Sequence, residues 1–298
     1  MKILLTGSSG FIGARLLEKL LSDGHSVLVT TRAPREERPG ILWLLGDLSN
    51  LNKMSGEIEK FEPEAILHLA WEGIPDFSEE QCRKNVFLSI NFLAMVGKIP
   101  SVRKVIVTGS CWEYGNRNGA CSELDTTNPS NWFTWAKDTV QKYVKRLCED
   151  QNIEWYWGRV FFVYGQNQRS QSLIPSVIRA LENNEVPDLR SPYAKNDFIF
   201  VEDLIQGLVS CLKEGPPSGI YNFGSGIEST VIDIVRVLEN LISGKIKLTE
   251  QIEVKPSVSP EALKSFYANT EISRAVLGWE ATTSISEGMQ IVLKDNGS

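Results

Sequence analysis

The chain has 298 residues, 42% of them hydrophobic, ample for the core of one large domain or of a nucleotide domain with a smaller companion. Its formal net charge of -6 argues against a general nucleic-acid binder, because clustered Lys and Arg supply affinity for a phosphate backbone. Five cysteines without a CxxC pair and two histidines point to neither a disulfide framework nor a metal site, and the apolar run Ile3-Leu4-Leu5 is too short for a signal peptide or a membrane span, so the expected setting is cytoplasmic with no membrane partner.

Strand-length apolar runs at 3–6, 27–31, 41–45, 65–69, 105–108 and 155–163 alternate with helix-length segments such as 11–21 and 86–96, whose apolar residues recur at three and four spacing. The alternation predicts an α/β fold, a doubly wound parallel sheet with helices on both faces. The first run leads into Thr6-Gly7-Ser8-Ser9-Gly10-Phe11-Ile12-Gly13, a GxxGxxG pattern that opens the first helix. Glycine permits a tight turn there and lets backbone amides reach a pyrophosphate at the positive helix end. Gly7, Ser9, Gly10, Phe11, Ile12 and Gly13 are therefore expected to hold a dinucleotide, a ligand-free glycine turn being the alternative. The second strand ends in Thr30-Thr31-Arg32, where NAD binders usually place a carboxylate for the ribose 2'-hydroxyl. Arg32, with Arg35, could instead pair with a 2'-phosphate, which predicts NADP(H) ahead of NAD(H) unless Arg32, Arg35 and Arg38 merely solubilise a loop. After the third strand, Asp47 in Gly46-Asp47-Leu48 either accepts from the adenine amino group, with Leu48 beside it, or caps the following helix.

The fifth strand runs into Thr108-Gly109-Ser110-Cys111-Trp112-Glu113-Tyr114-Gly115, at the carboxyl edge where open α/β sheets bind ligands. Ser110 either hydrogen-bonds a substrate carbonyl or hydroxyl or caps a turn. Further on, Phe133-Thr134-Trp135-Ala136-Lys137 has the spacing of a YxxxK oxidoreductase motif, with phenylalanine where the phenolic acid should stand. A lysine cation one helical turn from a tyrosine would lower the phenol's pKa from about 10 towards the working range; phenylalanine has no proton to exchange. Beyond Gly165 the pattern predicts helices at 173–182, 203–212, 231–241, 271–277 and 285–293, and short strands at 198–201 and 220–223. Residues 1–165 read as the nucleotide-binding domain and 166–298 as a substrate cap, with 198–223 crossing back to the first domain.

GxxGxxG, His68-Leu69-Ala70, Ser110 three residues before Glu113-Tyr114-Gly115, the incomplete YxxxK, Arg159 to Gly165, Asp197 to Asp203 and Tyr221-Asn222-Phe223-Gly224-Ser225-Gly226 together resemble the extended short-chain dehydrogenase/reductases that act on nucleotide sugars. The resemblance implies a Rossmann domain carrying NAD(P), with Leu69, Ala70 and Lys137 at the cofactor. It implies a cap that holds a nucleoside diphosphate sugar, Ser110 and Lys137 as catalytic residues, and a tyrosine expected at position 133. Members that act as 4,6-dehydratases carry Asp-Glu after the catalytic Ser or Thr; Cys111-Trp112 stand there in this chain. Between a 4-epimerase with retained NAD and a net reductase consuming NADPH, Arg32 speaks for the reductase, and 109–114 with Cys121-Ser122-Glu123 resembles members that reduce 4-keto-6-deoxy sugars. The sugar-nucleotide contacts expected on this likeness are Trp71, Cys111, Trp112, Glu113, Phe162, Arg169, Arg190 and Lys195. Phe162 replaces a common Asn, and Asn196 a common Arg; Lys195, Arg190 or Arg169 could supply the missing charge.

Phe133 admits three readings: another acid is used, with Tyr114 and Cys111 nearest in sequence; the protein senses nucleotide without catalysis; or an enzyme has been disabled by a Tyr-to-Phe change. The intact Lys137 argues for the third, since a lysine placed to tune a phenol has little reason to persist without one. A homodimer is expected through 77–99 and 131–149, unless their apolar residues face only the sheet.

Overall fold

The structure, a computed structural model, describes residues 1–242, 248–252 and 265–296; the rest of the 166–298 cap span lies outside the described residues. β1 (Lys2–Thr6) is buried at every position but the first, as a strand covered on both faces requires. Ile3 and Leu5 enter one core and Leu4 the other. In chain order follow α1 (Phe11–Ser22), β2 (Ser26–Thr31), β3 (Ile41–Leu45), α2 (Ser55–Phe61), β4 (Ala65–His68), α3 (Glu79–Val96), β5 (Lys104–Thr108), β6 (Gly119–Cys121), α4 (Trp132–Gln151), β7 (Glu154–Val160) and β8 (Phe162–Tyr164). The second half contributes α5 (Leu173–Glu182), β9 (Lys195–Phe200), α6 (Val201–Ser210), β10 (Gly219–Phe223), β11 (Glu228–Thr230), α7 (Val231–Ile242), β12 (Ser265–Ala268), α8 (Glu271–Leu277) and α9 (Ile285–Asn296).

The main sheet is seven-stranded in the order β10-β7-β5-β4-β1-β2-β3, with every pairing parallel. One core packs α1 and α6 against it, the other α2, α3 and α4, which makes the fold a Rossmann-type doubly wound sheet. The order reverses between β1 and β4, so a crevice opens at their carboxyl ends, where Gly7 and Leu69 follow. A second, smaller sheet has the order β11-β9-β12-β6, with β8 against β9.

The run expected as one strand at 155–163 is two. At Phe161 the backbone N–H makes the last bond to β10, donating to Phe223 O at 3.0 Å, and from Phe162 the chain turns to β9 of the other sheet as β8. Of 198–223, α6 packs on α1 and β10 joins the main sheet, whereas β9 belongs to the smaller sheet. Conversely β6, from the first half of the chain, pairs with β12 in the smaller sheet.

His68 closes β4 in the core, between Thr6 Oγ1 at 2.8 Å and Ser89 Oγ at 3.0 Å, stacked on Phe92. Burial, helped by Lys137, draws its pKa down to about 3. The unfolded chain protonates His68 near pH 6.5 while the folded one leaves it neutral, so this residue's contribution to stability is full above pH 6.5 and is lost as pH falls towards 3. Acidification from pH 7 to 4 is expected to cost about 3 kcal/mol through this group. Urea titrations of the chain and of His68→Gln at both pH values check it; parallel losses in the two proteins would disprove it.

Candidate active site

A cleft of about 970 Å³ follows the carboxyl edge of the main sheet. One end is lined by Gly7, Ser9, Gly10, Phe11, Ile12, Gly13, Arg32, Asp47 and Leu48, the middle by Leu69, Ala70, Trp71 and Ser110, and the far side by Cys111, Trp112, Phe133, Phe162 and Arg169. Gly7 takes φ 81°, and a Cβ there would lie 2.7 Å from Ala70 N; one on Gly13 would lie 2.1 Å from Gly7 O. Both positions therefore demand glycine, the first for conformation and approach to β4, the second so that α1 can close on the turn. Gly10 is the N-cap of α1 and offers no side chain to the first-turn N–H groups, which stay free for an anion. This cradle suits the pyrophosphate of a dinucleotide.

Ser110 ends the strand-turn at β5 and caps the 3-10 turn Cys111–Tyr114: its Oγ accepts from Trp112 N at 3.2 Å, and its N–H donates to Glu113 Oε1 at 2.7 Å. Glu113 is wholly buried, and also accepts from Trp157 Nε1 at 3.0 Å and Arg159 Nε at 3.1 Å. Burial pushes its carboxyl above the usual carboxylate range, against the pull of Arg159, Ser110 and Trp157. Arg159 in turn lies 4.3 Å from the Tyr114 ring centroid, and Tyr114 OH donates to Asn222 Oδ1 at 2.6 Å.

Phe133 sits in the first turn of α4, where Asn131 caps the helix. Its ring is 4.8 Å from Phe77, 5.7 Å from Trp71 and 6.0 Å from Trp112, centroid to centroid. One turn on, Lys137 Nζ donates to Thr108 O at 2.9 Å, lies 3.9 Å from the Trp71 ring centroid and 6.0 Å from that of Phe133. Lys137 is thus buried behind Trp71 and Phe133 rather than lining the cleft. Burial lowers its pKa to about 8, opposed by Glu113.

Three expected sugar-nucleotide contacts are corrected. Glu113 faces inward, because the Ser110 N–H, Trp157 and Arg159 claim its carboxylate in the core. Lys195 lies in β9 and pairs with Glu228 of the neighbouring β11 at 2.7 Å. Arg190 is exposed and lies outside the cleft wall. Arg169 does reach the cleft, donating to Ile74 O at 2.7 Å. Neither alternative acid offers an available proton. Tyr114 is buried against Asn222, its pKa raised by burial, and burial pushes the Cys111 thiol well above its usual range. Sequence reasoning missed Phe77, Glu72, Gln81 and Asn85, all of which line the cleft. They follow β4 in a loop and on α3, where neither periodicity nor a motif marks them.

The sequence model of the NAD dependent epimerase/dehydratase family matches residues 3–224. CDP-abequose synthase of Salmonella muenchen is 26% identical, over 98% of this chain and 97% of its own length. The dTDP-4-dehydro-6-deoxyglucose reductase of Escherichia coli is 23% identical, over 98% of this chain and 96% of its own. The crystal structure of Thermotoga maritima UDP-glucose 4-epimerase with UDP-glucose shares the fold with a TM-score of 0.84 at 20% identity, covering 99% of this chain and 98% of that one. With the glycine cradle, the strand order and Ser110 where such a fold presents its ligands, the chain belongs to the NAD dependent epimerase/dehydratase family.

Proposed function

We propose that this protein binds a nicotinamide dinucleotide, NADP(H) ahead of NAD(H), and reduces a keto group on a nucleoside diphosphate sugar of the 4-keto-6-deoxyhexose type, with Phe133 leaving this form impaired. The observation that carries the reading is the continuity of one cleft from the glycine turn to Ser110 and Phe133. A dinucleotide held there supplies the hydride. Because Ser110 Oγ accepts from Trp112 N–H, its own proton is left to donate to the ketone oxygen as charge develops. Lys137 stands behind position 133 to tune a phenol that this chain lacks. Trp71, Cys111, Trp112, Phe162 and Arg169 border the space for the sugar nucleotide, with Arg169 the cation for its diphosphate.

The names of the two relatives support a deoxyhexose. The inert Cys111 thiol speaks against a dehydratase, which needs an acid and a base after the serine. A second reading, a 4-epimerase retaining NAD, is supported by one observation: Arg32 already pairs with Glu72 at 3.2 Å. A homodimer through α3 and α4 is supported by Phe87, Trp132 and Trp135, which these helices leave exposed. Among the described residues no helix is long and apolar enough to cross a membrane.

Thermal shift tests the reading. NADPH should raise Tm, and CDP-, dTDP- or UDP-deoxyhexoses should raise it further in the presence of the dinucleotide, since a ligand that binds only the native state stabilises it. Stabilisation by dinucleotide alone, with every sugar nucleotide inert, would sink the enzyme reading in favour of a nucleotide sensor.

A further inference from the structure

Glu72 belongs to none of the sequence motifs, yet it lines the cleft at the end where Arg32 and Asp47 stand. One carboxylate oxygen accepts from Arg32 Nη1 at 3.2 Å and the other pairs with Lys84 Nζ at 2.7 Å. Its main chain is pinned independently of that carboxylate. The Glu72 N–H donates to Asn85 Oδ1 at 2.7 Å, and its carbonyl accepts from Asn85 Nδ2 at 3.0 Å and Gln81 Nε2 at 3.0 Å, both on α3. The Glu72 side chain is 24% exposed against 70% for Arg32, so the firmly held partner is the acid. Asp47, also on this wall, is held below the usual carboxylate range by Ser49 first, with Arg32 and Lys84 adding to the effect. Arg32, Asp47 and Glu72 therefore line one corner of the cleft with Lys84 paired to Glu72 beside them, and the formal charges of the four cancel.

We infer that Glu72 is a specificity-determining residue for the cofactor: it withholds Arg32 and Lys84 from a 2'-phosphate and so tempers the preference for NADP(H) that Arg32 would otherwise impose. The inference rests on the proposed reading of the cleft as a dinucleotide site. A 2'-phosphate carries nearly two negative charges and is repelled by the Glu72 carboxylate while competing with it for the same two cations. A 2'-hydroxyl carries no charge and meets neither effect. In a half-solvated corner one such carboxylate changes phosphate affinity by about tenfold, and salt weakens the effect because the groups are exposed.

The experiment measures dissociation constants of NADPH and NADH by nicotinamide fluorescence, which needs no turnover, for the full chain and for Glu72→Gln. Glutamine keeps the main-chain bonds and the side-chain volume while removing the charge. The NADPH constant is expected to fall about tenfold, the NADH constant to stay within about twofold, and the gain to shrink at high salt. An unchanged ratio of the two constants, or an equal weakening of both as a merely structural role would produce, overturns the inference and leaves the dinucleotide site standing. If neither dinucleotide binds to either protein, the reading of the cleft is removed, and the inference with it.

Discussion

Phe133→Tyr is expected to raise turnover of an NDP-4-keto-6-deoxyhexose by about 100-fold or more, the usual contribution of a positioned general acid. The surroundings are already arranged for one. Phe133 packs among Phe77, Trp71 and Trp112, and the next turn of α4 brings Lys137 Nζ to 6.0 Å from its ring centroid. The ammonium is anchored by Thr108 O, which keeps a cation beside the position a phenol would take. Neither of the two nearest candidates in sequence substitutes: Tyr114 is committed to Asn222 in the core, and Cys111 holds its proton too tightly. With its pKa lowered to about 8 by burial, Lys137 loses its charge as pH rises through that value, so the rate of Phe133→Tyr should fall on the alkaline side earlier than an unperturbed lysine would predict. Steady-state rates of both forms across pH 6 to about 10 read both effects. Equal turnover with and without the phenol would put the proton donor elsewhere and remove the role assigned to position 133.

Arg159→Met should destabilise the fold by about 3–5 kcal/mol, because it strands the Glu113 carboxylate in a wholly buried site. Trp157 and the Ser110 N–H remain as its partners, but neither carries a charge. Urea midpoints measure the loss. The double variant Glu113→Gln/Arg159→Met should recover most of it, since removing both charges costs far less than removing one. A loss under about 1 kcal/mol in the single variant would mean that the pair contributes no more than a surface ion pair. The same carboxylate fixes the Ser110 backbone, so the Arg159 side chain bears on the candidate site from its far side.

What the amino-acid sequence determined by itself is whatever depends on neighbours along the chain. The alternation of apolar runs marked β1, β2, β3, β4 and β5 nearly to the residue, and the glycine triplet marked the turn after β1, because strand period and turn chemistry act over a few positions. The departure at Phe133 was legible for the same reason, as one turn of helix links it to Lys137. Only the tertiary structure decided which polar residues look inward. Glu113 stands three residues from Ser110 in sequence, yet β7 supplies Trp157 and Arg159 to claim it, and Tyr114 finds Asn222 across a separation of 108 residues. Likewise Lys195 is drawn to Glu228 by strand pairing, while the unmarked Glu72 and Phe77 are delivered to the cleft by the loop after β4. Burial and charge pairing are settled by which elements meet, and that meeting is decided by strand order and packing rather than by any local pattern.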